Sequence, residues 1–132
     1  MAIGYEYRGL TIAKIAEAEI TACRFVKFGT TSEKVDVCGA GERALGVASG
    51  VPGEVFAIGE VVDVMIDGIA MVQATDNSAN ALGDMLEAGA LGRATHAETN
   101  KNPVAGMSVG PVAGATDTML AILLEPSVMS CT

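Results

Sequence analysis

Apolar positions in this chain come in short runs separated by clusters of Gly, Asn, Asp and Pro. From position 24 onward the runs fall at 24–28, 34–37, 44–48, 54–58, 61–66, 69–73, 91–94, 104–109 and 118–124. Short runs at a spacing of about ten residues, with turn residues between them, predict strands and an all-β fold. The expected architecture is a compact β-barrel or β-sandwich. Strand alternation at 61–67 sets Val62, Val64 and Ile66 on one face and Asp63, Met65 and Asp67 on the other, which reads as a half-buried strand with one wet face. The run ending at Leu124 is apolar on both faces and is expected at the centre of the core.

The turn signals have a mechanism. Gly50-Val51-Pro52-Gly53 joins two runs, with Pro fixing φ and Gly free to take positive φ. Asp67-Gly68 has the composition of a tight hairpin turn between 61–66 and 69–73. Asp76-Asn77-Ser78 is a polar loop dividing the chain into two portions that resemble each other weakly. The phrases beginning at Thr21, Ala44 and Val55 return in order at Leu82, Val104 and Met119, 60 to 64 residues on. Two copies are too few for a solenoid. They predict a pseudo-symmetric pair of strand sets closing one barrel.

Residues 1–18 behave differently and are expected to form an N-terminal arm, with 19–132 a single β-rich domain. Both tyrosines, Tyr5 and Tyr7, lie here beside Arg8, a composition suited to an interface anchor or equally to a first strand covering the core. Positions 12–18 fit an alternating strand and a short amphipathic helix equally well.

Composition narrows the function. The chain has 132 residues, half of them apolar, so it is an ordered domain rather than a disordered one. Phe25, Phe28 and Phe56 are its only Phe anchors, and the remaining core must be aliphatic. A net charge of −8 excludes the counterion-release affinity that nucleic-acid binding needs, and disfavours an anionic membrane surface. The N-terminus lacks the pattern of a signal peptide. The charge-free stretch 102–116 is broken by Pro103, Pro111 and three glycines, so it is no spanning helix. Cys23, Cys38 and Cys131 fit no disulfide framework or CxxC pair and are expected as buried reduced thiols from a reducing compartment.

The residues assemble no catalytic pattern. His96, the sole histidine, sits in a polar stretch without a Cys or His at metal-ligand spacing. Asp63 and Asp67 share a strand face but stand roughly 13 Å apart at strand rise, too far for a pair of glycosidase carboxylates. Glycines at 39–41 and 46–53 match no phosphate loop and read as turn glycines. Ala70-Met71-Val72 sits where a carrier domain would need a modifiable Lys, and no Lys is there. The seven methionines are explained as fillers of irregular core gaps.

One family pattern does emerge. An N-terminal arm is followed by Ile20-Thr-Ala-Cys-Arg-Phe-Val-Lys-Phe-Gly29, Lys34-Val35, Ala44-Leu-Gly-Val-Ala48 and Gly53-Glu-Val-Phe-Ala-Ile-Gly-Glu60. Ala81-Leu-Gly-Asp-Met85, Gly92-Arg-Ala94, Val104-Ala-Gly-Met107 and Met119-Leu-Ala-Ile-Leu-Leu124 complete it. Over residues 18–124 this resembles the small Ala/Gly-rich capsid decoration, or cement, proteins of tailed bacteriophages. The resemblance implies a β-rich module, commonly trimeric, that binds the outside of an assembled head through the major capsid protein. It implies no catalysis and no cofactor. It also implies folding in the host cytoplasm before incorporation into the virion. The family's arm contact would fall here on Tyr5, Tyr7, Arg8 and Leu10, an arm more aromatic than the pattern.

Two other readings compete. One is a non-catalytic β-barrel binding or carrier-like module of a cellular assembly. The other is a hydrolase using Asp63, Asp67 or His96 at a subunit boundary.

Overall fold

The structure is a computed structural model that describes residues 7–74, 85–96, 105–110 and 119–124. In chain order the first strands are β1 (Tyr7–Arg8), β2 (Thr11–Ala16), β3 (Ile20–Thr21), β4 (Phe25–Phe28), β5 (Lys34–Val37), β6 (Gly46–Ala48) and β7 (Val55–Phe56). They are followed by β8 (Val61–Met65), β9 (Gly68–Gln73), β10 (Met85–Ala88), β11 (Ala94–His96), β12 (Gly106–Gly110) and β13 (Met119–Leu124). Among the described residues the helical content is one 3-10 turn at Ala90–Gly92, so the expected all-β class holds.

The first half closes a five-stranded barrel in the order β2-β5-β4-β6-β8. Its pairs are antiparallel except β2 with β5. Period-two alternation turns Ala16, Val26, Val35, Ala48, Val62 and Val64 inward, with Ile12, Leu45, Phe56 and Ile66 packed around them. Five strands leave a narrow bore, which short side chains such as Ala and Val fill. The short β3–β7 ribbon adds Ile20 and Phe56, paired in register, to this interior.

The second half repeats the arrangement. Its sheet runs β1-β9-β13-β12-β10-β11, and a parallel bridge from Ala74 to Ala94 returns β11 to the end of β9. The register matches the first barrel pair for pair. Ile12↔Val64 corresponds to Ala70↔Ile122, 58 residues on along both strands. Val26↔Gly46 corresponds to Leu86↔Gly106, 60 residues on along both strands. The parallel contact Ala16↔Val35 corresponds to Ala74↔Ala94. Each of these twelve positions but Ile12 is buried, so pairing and inward parity are both repeated.

This corrects two details of the sequence reading. Each strand set curls on itself, so the two do not close one barrel. The Ala44 and Val104 phrases do correspond, but β13 is matched by β8 and not by the phrase at Val55. The apolar run at 55–58 imitates the true partner in a chain this rich in Ala and Val.

The two units are welded through a wall that is apolar on both faces. Phe25, Val47 and Met65 lie in register across β4, β6 and β8, pointing out of the first barrel. They pack with Val72, Leu86, Ala88, Ile122 and Leu124 of the second unit in one core. Met65, expected on a wet face, is therefore 1 % exposed, while Asp63 on the same face stays in solvent. The second sheet covers only one end of that strand. Polar links reinforce the weld. Arg24 Nε donates to Gln73 Oε1 at 2.9 Å, Gln73 N–H to the Cys23 carbonyl at 2.9 Å, and Gly41 N–H to the Ala88 carbonyl at 2.8 Å. The run at Met119–Leu124 is an interior strand of its sheet, between β9 and β12.

A continuous two-stranded ribbon also crosses the junction. Tyr7 and Arg8 pair with Ile69 and Gly68 in the second unit, and Thr11–Ile15 pair with Val61–Met65 in the first. Between them Ile66 N–H donates to the Leu10 carbonyl at 2.9 Å. Asp67-Gly68 is thus the crossover from one unit to the other and not a hairpin turn, because β8 and β9 pair with other strands. Thr11–Ala16, which the sequence reading assigns to the arm, is a barrel stave. That resolves 12–16 as strand, with Ile12 and Ala16 inward.

Two glycines permit these close approaches. A Cβ on Gly9 would stand 2.7 Å from the Asp67 carbonyl oxygen, and one on Gly46 would collide with the Met65 carbonyl. Gly46 is accordingly a strand residue and not a turn glycine. Gly46→Ala and Gly9→Ala are each expected to cost roughly 1–3 kcal/mol, since backbone must shift to make room. Urea unfolding of the two variants measures this, and a loss below about 0.5 kcal/mol would show that the junction is slack.

Candidate contact surfaces

The first barrel carries three turns built on one local rule. Gly39-Ala-Gly-Glu42, Val51-Pro-Gly-Glu54 and Ala57-Ile-Gly-Glu60 each place a glycine third and a glutamate fourth. In each the fourth N–H donates to the first carbonyl, at 3.2, 2.9 and 3.0 Å in turn. The third residue has φ of 76°, 90° and 92°, which is why it is Gly. The glutamate Oε1 then accepts the first residue's N–H, at 2.6, 3.1 and 2.6 Å. Backbone and side chain together close each turn. The second turn begins one residue later than the sequence reading placed it.

These turns hold aliphatic side chains in solvent. Ile58 is 72 % exposed, Val51 69 % and Val61 62 %, with Val55 and Ile15 also exposed. Ile15 and Val61 face each other in register at the end of β2 and β8 opposite to Met65, hence away from the second unit. Gly59 N–H donates to the Ala16 carbonyl at 2.9 Å, bringing the Ile58 turn beside that pair. The sequence reading missed this surface. Its signal was the repeated Gly-Glu ending together with branched aliphatics at turn positions that polar residues ordinarily take.

The expected contact residues that the structure describes lie at the start of the chain, by the crossover. Tyr5 lies outside the described residues. Tyr7 and Arg8 are held by backbone pairing in β1, and Leu10 is 58 % exposed beside the crossover. The structure does not gather the candidate catalytic groups. Asp63 is exposed on β8, Asp67 Oδ1 accepts the Gly68 N–H at 2.9 Å, and His96 is the last residue of β11. Among the described residues, no group of three His, Cys, Asp or Glu is placed to hold a metal ion. A recess lined by Phe25, Leu45, Ile66, Ala105 and Leu124 at the weld has a volume of about 10 Å³, at the lower limit for one water and far below a ligand pocket.

Cys23 and Cys38 are buried free thiols, as expected, and Cys131 lies outside the described residues. Burial pushes the Cys38 thiol up to about 12, with the Glu42 carboxylate adding to the effect. That thiol is neutral and unreactive at physiological pH. Around it the barrel's outer charges are paired. Lys27 Nζ meets Glu42 Oε1 at 2.7 Å, and this hydrogen bond, then the Gly39 N–H, holds the Glu42 carboxyl below its ordinary range. The Glu17 carboxyl is lowered by the Thr30 N–H and then by its hydroxyl, at 2.8 and 2.7 Å. Lys14 extends over the Phe28 ring, 5.6 Å from its centroid, and donates to the Ser32 carbonyl at 2.7 Å.

No family model matches this chain, and no curated protein does either. Among solved structures it is similar to the head fiber gp8.5 N base of bacteriophage phi29. The likeness has a TM-score of 0.64 at 15 % identity, and covers 92 % of this chain and 98 % of that one. Identity this low speaks for the fold, and near-complete coverage on both sides means that the whole two-unit arrangement is shared.

The two lowered carboxyls set an acid-side pH dependence. Their folded values lie below the unfolded ones, so their contribution is present above the ordinary carboxylate range and is lost as pH falls through the folded values. Glu17→Gln with Glu42→Gln is expected to leave a shallower loss of stability between neutral pH and about pH 3 than the parent shows. Thermal melts across that range test it, and parallel acid limbs would refute it.

Proposed function

We propose that this chain is a non-catalytic structural protein of a tailed-phage head: a decoration protein that binds the outer surface of the assembled shell, as a homotrimer. The observation that carries the reading is the fold shared, nearly end to end, with the base of a phage head fiber. The order of strand-and-turn phrases that resembles the cement proteins supports it independently. Its partner is the major capsid protein, and Tyr5, Tyr7, Arg8 and Leu10 contribute to the contact from the chain's N-terminal arm. A net charge of −8 suits an exterior position away from packaged DNA. Folding in the host cytoplasm agrees with buried free thiols at Cys23 and Cys38.

The physics of such a role is mass-action linkage. A protein that binds the assembled lattice and not its separated subunits stabilises the lattice by the free energy of that binding. Many copies on a symmetric shell raise the total without any single contact being tight.

Sedimentation equilibrium is expected to give three times 13.4 kDa across a wide concentration range. Added to undecorated heads from its own source, the protein is expected to co-sediment saturably and to raise the temperature at which the heads lose their DNA. Heads that neither bind it nor gain heat resistance would overturn the decoration reading, and a monomer at all concentrations would overturn the preformed trimer.

A further inference from the structure

We infer that the aliphatic surface on the far end of the first barrel, made by Ile15, Val51, Val55, Ile58 and Val61, is a docking face additional to the N-terminal contact, and that it seats in an apolar socket edged by basic side chains on the partner protein. The inference rests on the proposed function in taking that partner to be the coat lattice of the head.

Three observations lead there. First, Val51, Ile58 and Val61 are each more than 60 % exposed, and all but Ile15 fall within the single stretch 51–61. Scattered exposed aliphatics are ordinary, whereas several gathered at one end of a barrel mark an interaction surface, and Ser49 N–H on the Asp63 carbonyl at 2.8 Å leads the 51–54 turn to the Val61 end. Second, the surface is preorganised. The turns at 51–54 and 57–60 are closed by a backbone hydrogen bond, by a glutamate on the turn's first N–H and by a positive-φ glycine, so little conformational entropy remains to be lost on docking. A Cβ added at Gly53 or Gly59 would meet nothing within 4 Å, so the tips stand clear of the chain's own surface.

Third, the charges choose the occupant. The only charged side chains in 51–61 are Glu54 and Glu60, and Glu19, Glu33 and Asp63 are exposed nearby in the chain or the sheet, with Lys14 and Lys34 beside Ile15 as the basic neighbours. The rim is acidic and calls for a basic counterpart. A second copy is poorly equipped to supply one, having eight basic against sixteen acidic side chains overall.

The test is co-sedimentation with undecorated heads at increasing protein concentration. Val51→Ser with Ile58→Ser is expected to weaken binding at least about tenfold, since both anchors leave the socket. Because both sites are exposed, the unfolding midpoint and solution mass should match the parent. Glu54→Gln with Glu60→Gln keeps a carbonyl acceptor for each turn while removing the charge. It is expected to weaken binding about two- to fivefold and to flatten its salt dependence. Parent-like binding by the Ser variant to heads that the parent does bind would overturn the docking face and leave the decoration reading standing. A Ser variant that loses its oligomeric mass would assign the face to a contact between copies and overturn it equally. A parent that binds no heads would sink the decoration reading, and the face's assignment with it.

Discussion

The structure depends on a barrel wall that is apolar on both of its faces. Alternation along β4, β6 and β8 sends Val26, Ala48 and Val64 into the first core, and Phe25, Val47 and Met65 outward into the second. A five-stranded barrel of Ala and Val is a small core, too poor in large side chains to be comfortable alone. Burying the outward row adds about 1.5–3 kcal/mol for each large side chain, an upper figure because unfolded chains are themselves partly compact. The second unit gains more than area. Its own interior is heavily Ala (Ala70, Ala74, Ala88, Ala94 and Ala105), and Phe25 and Met65 bring to it the bulk it lacks. Two poor cores are made into one adequate domain by sharing a wall.

That sharing explains why the N-terminal strands matter more than their position suggests. β1 and β2 are one ribbon with β8 and β9, crossing from unit to unit where Gly9 and Asp67 nearly touch. An element spanning both units couples their unfolding, because neither sheet can lose it alone. The crossover also limits what an arm can be. With Thr11–Ala16 committed to the barrel, those residues are not available to reach a partner.

Much of the fold was legible in the sequence, and the failures have physical causes. Strand alternation placed Val62 and Val64 inward and Asp63 outward, because these depend only on the two-residue period. It misjudged Met65, whose cover comes from residues far along the chain. The duplication was visible in the Ala44 and Val104 phrases, whose Gly46 and Gly106 take corresponding pair positions in the two sheets. It was misread at Val55, where generic aliphatics carry no register information. The strand Met85–Ala88 escaped notice because its pattern is short and Leu86 is its only large inward side chain. Asp67-Gly68 has hairpin composition, yet composition specifies a bend and not the partner beyond it.

The candidate surface was least legible for a related reason. Sequence reasoning looks for aromatic and charged residues as anchors, and it duly selected Tyr5, Tyr7 and Arg8. A surface made of valines and isoleucines looks like core until the structure shows these side chains outside. What distinguishes them is the turn in which they sit. A flexible loop with exposed aliphatics would collapse them onto its own barrel, but a turn closed by Glu54 or Glu60 and a positive-φ glycine cannot fold back. The glutamates therefore have two consequences from one position: they hold the aliphatics in water, and they leave an acidic edge beside them. Stability of the barrel alone explains neither, since a polar residue at Ile58 would serve an isolated turn better. The arrangement makes physical sense for a surface that water does not cover in the protein's working state.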